Sequence, residues 1–178
     1  MPKRRGVFID RDGVLVRSNR AGGKPIAVTR LDEFRLLPGV EAAFAELRAA
    51  GFATIIVTNQ PDIAKGLIPM TIIEAMHARL AARLKPDAIE LCPHAQTAGC
   101  DCRKPRPGML LRAAARLSVD LALSVMIGDR ASDIEAGQAA GSRCIFIDRH
   151  YGEAKPRGAF KTAKHFPAAV AMILRPPD

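Results

Sequence analysis

The chain has 178 residues, 48% of them hydrophobic and 4% aromatic, and its 27 Lys and Arg against 18 Asp and Glu give a formal charge of +9. That length suits one domain with a sizeable core, and no apolar run approaches the roughly 20 residues that span a bilayer. The positive balance attracts phosphorylated ligands, while one Tyr, seven Phe and no Trp offer few rings to stack on single-stranded bases, so nucleic acid is disfavoured as a partner.

The basic start Met1 to Arg5 is followed by only Gly6-Val7-Phe8-Ile9 before Asp10, too short for the apolar part of a signal peptide; a cytoplasmic protein is expected, and a monomer. Gly6 to Ile9 predicts a buried strand ending at Asp10. A basic loop spans 16–35. After Pro38-Gly39, Val40, Ala43, Phe44 and Leu47 fall at helical spacing, stopped by Gly51. Ala53 to Val57 is rich in strand formers and ends at Thr58-Asn59. Thr71 and Glu74 pair as a capping box for a helix with Ile72, Met76 and Leu80 on one side. Ala88 to Leu91 predicts a strand, followed by a Cys/His loop. Pro107 opens a helix carrying Leu110, Ala113, Ala114 and Leu117 inward. Leu123 to Ile127 predicts a strand ending at Gly128-Asp129. Ser132 and Glu135 offer a second capping box, closed by Gly141. A strand over Cys144 to Ile147 ends at Asp148, and Phe166 to Leu174 predicts a last helix.

Strands alternating with helices imply an α/β fold: a three-layer, doubly wound parallel sheet, Rossmann-like, covered on both faces. Ligands of such sheets sit beyond the carboxyl ends of the strands. Asp10, Thr58-Asn59 and Asp129 collect there, so three strands deliver polar chemistry to one edge.

Asp10 and Asp12, at i and i+2 before Gly13, can serve a hard cation together. One carboxylate can then attack phosphorus while the other protonates the leaving oxygen and later deprotonates water. The bland alternative is an acidic turn. The Thr58 hydroxyl and the backbone around Asn59 can bind a phosphoryl oxygen. Lys104 could neutralise phosphate and nucleophile together, and Arg103 could grip phosphate bidentately. In Gly128-Asp129-Arg130-Ala131-Ser132-Asp133, Asp129 suits a Mg²⁺ ligand, Arg130 a substrate contact, and Asp133 could orient Lys104; plain N-terminal helix charge is the bland reading of Asp133. Cys92, His94, Cys100 and Cys102 provide three thiolates and one imidazole, a full tetrahedral shell for structural Zn²⁺. The rival reading is a reactive thiol pair at Cys100 and Cys102. His77, His165 and Cys144 read as packing or surface residues, and Asp148-Arg149-His150 ends a strand with no partner to name.

In order, Asp10-Arg11-Asp12-Gly13-Val14, Val57-Thr58-Asn59-Gln60, Lys104-Pro105 and Gly128-Asp129-x-x-x-Asp133 resemble the four motifs of the haloacid dehalogenase superfamily of phosphohydrolases. The resemblance implies an aspartyl-phosphate at Asp10, with Mg²⁺ held by the Asp10 side chain, the Asp12 backbone carbonyl and the Asp129 side chain. With the Cys/His loop the chain resembles the zinc-loop, histidinol-phosphatase-like subfamily, which includes heptose bisphosphate phosphatases. Two stretches depart from the subfamily's pattern: 15–24 is longer and more basic, and Gln60-Pro61-Asp62 stands where a Ser-Gly is usual. The expectation is one phosphatase domain over 1–178, with its core at about 5–150, a zinc loop at 92–102 and no separate cap. Its expected partner is a small phosphorylated metabolite. D-glycero-D-manno-heptose 1,7-bisphosphate comes first, then histidinol phosphate or a polynucleotide 3′-phosphate. A non-catalytic zinc-stabilised nucleic-acid-binding module is the alternative of a different class.

Overall fold

The computed structural model describes residues 4–21 and 24–175. In chain order the elements are β1 (Arg4–Ile9), a hairpin of β2 (Asn19–Ala21) and β3 (Lys24–Ile26), α1 (Val40–Ala49), β4 (Ala53–Asn59), the short α2 (Pro61–Ala64), α3 (Met70–Leu84) and β5 (Ala88–Cys92). Then come α4 (Gly108–Leu117), β6 (Val119–Gly128), α5 (Ala131–Ala139), β7 (Arg143–Ile147), β8 (Lys161–Ala163) and α6 (Phe166–Leu174). Six strands make one parallel sheet in the order β5-β4-β1-β6-β7-β8. No described helix is long and apolar enough to cross a membrane.

The period-2 alternation of a strand explains why β1 reads as one apolar run. Val7 and Ile9 enter the core under α1, α3 and α6, while Phe8 enters the core under α4 and α5; all three are fully buried. A sheet covered on both faces has no polar face to alternate with. Each such side chain contributes roughly 1.5–3 kcal/mol by leaving water. α1 buries Val40, Ala43, Phe44 and Leu47 as its spacing predicts, and Phe44 meets Phe166 of α6 with ring centroids 6.3 Å apart.

Both predicted capping boxes are corrected. α3 starts at Met70 after an extended Pro69, with no side-chain cap, so Thr71 lies inside the first turn. Its buried stripe is Ile73, Met76, Leu80 and Leu84, leaving Ile72 only partly buried. α5 starts at Ala131, and Asp133 rather than Glu135 reaches back to its N-terminus, accepting from the Arg130 N–H at 3.0 Å. β6 begins at Val119, earlier than its apolar stretch implies, and the basic loop contains the β2–β3 hairpin.

Strand order positions the site. From β1 the chain builds outward through β4 to β5, then returns to place β6 on the other side of β1. The crevice at such a switch point opens at the carboxyl ends of the central strands.

Candidate active site

The ends of β1, β4 and β6 lie side by side, and α5 starts just beyond β6. Asp10, Asp129 and Asp133 there each offer a carboxylate oxygen, all within 4.8 Å of one another. Lys104, buried between them, reaches Asp10 Oδ1 at 2.5 Å, Asp133 Oδ1 at 2.7 Å and the Val57 carbonyl at 2.8 Å. Its backbone is bracketed by the Asn59 amide. The Asn59 Nδ2 donates to the Lys104 carbonyl at 3.1 Å, and the Lys104 N–H donates to Asn59 Oδ1 at 3.1 Å. Asn59 therefore fixes Lys104, with both ends of its side chain committed. Asp133 Oδ2 accepts from the Asp129 and Arg130 N–H groups, which leaves its other oxygen for Lys104. Gly128 permits this, since a Cβ there would run into the Asp133 side chain.

Among the described residues the three buried carboxylates share a single ammonium, so the cluster itself is short of positive charge. Burial pushes Asp10 up to about 7, Lys104 pulling against it and Asp133 and Asp12 adding to it. Burial, with Asp10 next, pushes Asp129 well above the usual carboxylate range. Burial opposes the Lys104 charge, but Asp10 and Asp133 overcome it and hold the ammonium above its ordinary value. Asp129 Oδ2 accepts from the Tyr151 hydroxyl at 2.7 Å; Asp129 Oδ1 is buried with no hydrogen-bond partner among the described residues. An orphaned carboxylate oxygen in a cluster of net negative charge fits a hard divalent cation.

Asp12 is held from two sides. The fully buried Arg11 donates to it through Nε and Nη2 at 2.9–3.2 Å, and Gln60 Nε2 donates to its Oδ2 at 2.7 Å. Arg11 lies 5.5 Å from the Phe34 ring centroid and 3.4 Å from His77 Nε2. Burial first, then the Arg11 guanidinium, pushes His77 down to about 4, so the ring is neutral and accepts from Arg11. Gln60 Nε2 also donates to the Thr58 hydroxyl at 2.8 Å, leaving that hydroxyl its own proton to give. Thr58 itself is almost wholly buried behind Gln60.

The Cys/His loop leaves the end of β5. Cys92 Sγ lies 3.6 Å from His94 Nδ1 and 3.7 Å from Cys100 Sγ; Cys102 Sγ lies 3.2 Å from His94 Nδ1 and 3.5 Å from Cys100 Sγ. Metal–sulfur bonds of roughly 2.3 Å imply tetrahedral edges of about 3.8 Å, so the four donors fit one ion. All are free of disulfides. Burial and the Cys102 thiol push Cys92 up to about 12, a crowding that a dication relieves. Arg106 ties the loop by donating to the Gly99 and Cys100 carbonyls.

A cavity of about 600 Å³ lies over these groups, its wall including Asp10, Asp12, Asn59, Arg103, Lys104 and Arg130. Arg103 Nη1 is buried with no partner among the described residues, whereas Arg130 pairs with Glu153 at 2.6 Å. The structure thus brings together Asp10, Asp12, Asn59, Arg103, Lys104, Asp129, Arg130 and Asp133, with Thr58 set behind them. Sequence reasoning missed the roles of Arg11, Gln60, Arg149 and Tyr151; His77, read as a packing residue, packs against Arg11. Gln60, directly after Thr58-Asn59, and Tyr151, the only Tyr and just past a strand end, were the signals available.

Comparison with known proteins agrees with this geometry. The HAD-hydrolase-like family profile matches residues 101–174. A D-glycero-beta-D-manno-heptose-1,7-bisphosphate 7-phosphatase of Pseudomonas putida is 37% identical over 152 residues, covering 83% of this chain and 84% of the relative. Its namesake from Escherichia coli is 40% identical over 146 residues, covering 75% of this chain and 73% of the relative. Among solved structures, a D,D-heptose 1,7-bisphosphate phosphatase from B. bronchiseptica, complexed with magnesium and phosphate, superposes with a TM-score of 0.82 at 30% identity. That match covers 96% of this chain and 98% of the other.

Proposed function

The chain belongs to the haloacid-dehalogenase-like phosphatases, and on that premise we propose that it removes the 7-phosphate of D-glycero-β-D-manno-heptose 1,7-bisphosphate through a phosphorylated Asp10. The observation that carries the reading is Asp10 itself, at the end of the central strand and on the cavity wall, 2.5 Å from the Lys104 ammonium. The substrate class rests on the relatives' names, and the cations around the cavity suit a second phosphate.

In the first step an Asp10 oxygen bonds to phosphorus as the bond from phosphorus to the sugar oxygen breaks, and Asp12 gives that oxygen a proton. In the second, water attacks the aspartyl-phosphate, Asp12 takes the proton, and Asp10 and inorganic phosphate are released. Asp12 does this by exchanging a contact with Arg11 or Gln60 for the reacting oxygen. Thr58 donates its free proton to the phosphoryl group, Asn59 and Asp133 hold Lys104, and Arg103 and Arg130 bind the substrate. Magnesium would be held by the side chains of Asp10 and Asp129 and the Asp12 carbonyl, and would offset charge on the phosphoryl oxygens. Cys92, His94, Cys100 and Cys102 would hold a structural zinc, the cysteines kept from disulfides by a reducing cytoplasm and deprotonated by the ion.

Turnover of heptose bisphosphate, histidinol phosphate and a 3′-phosphorylated oligonucleotide tests this. The heptose is expected to lead in kcat/KM by about 100-fold or more, and Asp10→Asn to cut its turnover by at least about 10³. A D10N variant as active as the parent sinks the mechanism; a lead for another substrate sinks the heptose.

A further inference from the structure

The turn after β7 has no part in the steps above, yet it touches the carboxylate cluster once and the loop after β1 beside it once. Tyr151 donates to Asp129 Oδ2 at 2.7 Å. Two residues earlier, Arg149 Nε donates to the Gly13 carbonyl at 2.8 Å. Gly13 lies at φ 82°, where a side chain is strained in any case, and a Cβ there would run into the Asp129 carboxylate and stand 2.7 Å from the Tyr151 hydroxyl. The space that Gly13 leaves open is therefore filled by the phenol–carboxylate pair, with Arg149 closing the turn over it.

We propose that Tyr151 is the positioning residue for the metal, fixing Asp129 so that its Oδ1 faces the ion. The proposal rests on Asp129 being a magnesium ligand. A carboxylate pivots about its last torsion, and one hydrogen bond to Oδ2 settles which oxygen is left. That remaining oxygen is the buried atom without a partner among the described residues. With Asp129 ionised, the single phenolic proton points at it, and Ser18, 3.1 Å from the phenol oxygen, donates into that oxygen. The resulting chain from Ser18 through Tyr151 to Asp129 joins the segment before β2 to the metal ligand. Burial, then the Asp129 charge, keeps the phenol protonated, above its ordinary value.

Calorimetric titration of the full chain with Mg²⁺ tests it. Loss of an outer-shell partner typically costs 10–100-fold in metal affinity; Tyr151→Phe should raise the magnesium Kd about tenfold, while kcat at saturating Mg²⁺ falls far less. A purely structural role would lower the melting temperature without separating Kd from kcat. An unchanged Kd in Y151F, with the parent binding normally, overturns the proposal. A parent that binds no Mg²⁺ sinks the magnesium reading of Asp129, and this proposal with it. Independently of any variant, the chain has one Tyr and no Trp, so its ultraviolet emission reports on Tyr151 alone. Mg²⁺ drawing charge from Asp129 should relieve the quenching of that phenol by its carboxylate partner. Emission unmoved by magnesium that calorimetry shows to be bound would also overturn it.

Discussion

Cys92, His94, Cys100 and Cys102 come from one short loop, whereas Asp10, Lys104, Asp129 and Asp133 are gathered from strand ends and loops far apart in the chain. The loop's four donors face one another at tetrahedral spacing and leave no position for a reactant. The carboxylate cluster keeps a buried oxygen without a partner among the described residues and opens to a cavity. A locally drawn site can close on itself and serve the fold; one assembled by the sheet stays incomplete on its open side, where chemistry can enter. Arg103 and Lys104 join the two, following the last cysteine directly.

The sharpest way to break this division is Lys104→Met. Among the described residues it strips the only counter-charge touching Asp10 and Asp133, and it should lower kcat by about 10³ while leaving the zinc content proposed for the loop, about one per chain, unchanged. Loss of zinc in K104M, measured by elemental analysis, would mean the two sites are not separable. Cys102→Ser comes next. It should release the zinc proposed for the loop and lower the melting temperature by about 10 °C. It should also cut turnover by about 10–100-fold, because the cations after Cys102 lose their anchor. A C102S chain of full activity would show that the loop does not aim Lys104.

The smallest effect concerns pH. Without metal, folded Asp10 holds its proton up to about 7 against an ordinary 3.8. The folded chain then binds more protons than the unfolded one across that window and loses stability as pH rises through it. Magnesium held at Asp10 as proposed would compete for the same oxygens, so its thermal shift should be near zero at about pH 4 and reach a few degrees above about pH 7. A shift independent of pH would place magnesium elsewhere.

Much of this was legible in the sequence because it is local. The buried stripe of α1, the bounds of α6 and the strand ends carrying Asp10 and Asp129 follow from spacing and apolar runs. The cysteine loop shows its full donor set within a few residues. What escaped depends on distant pairing. β8 is a three-residue edge strand whose parallel partner β7 lies a long loop away. Arg11 meets His77 across 66 positions and Ser18 meets Tyr151 across 133, separations at which no periodicity survives. The capping boxes failed because α3 opens after the extended Pro69 with no side-chain cap, and because Asp133 rather than Glu135 reaches the N-terminus of α5.

The bracketed Lys104 carries a last consequence, visible by counting protons. An ammonium has three to donate, and in the resting chain all three have acceptors: Asp10, Asp133 and the Val57 carbonyl. An arriving phosphate therefore finds no idle donor on this cation. In the proposed reaction one is freed only when the Asp10 oxygen becomes part of an acyl phosphate and sheds its charge, so the proton that faced the carboxylate can turn to the phosphoryl group now attached to it. In that proposed sequence Lys104 follows the negative charge without leaving its place, and its grip tightens only once the nucleophile has reacted.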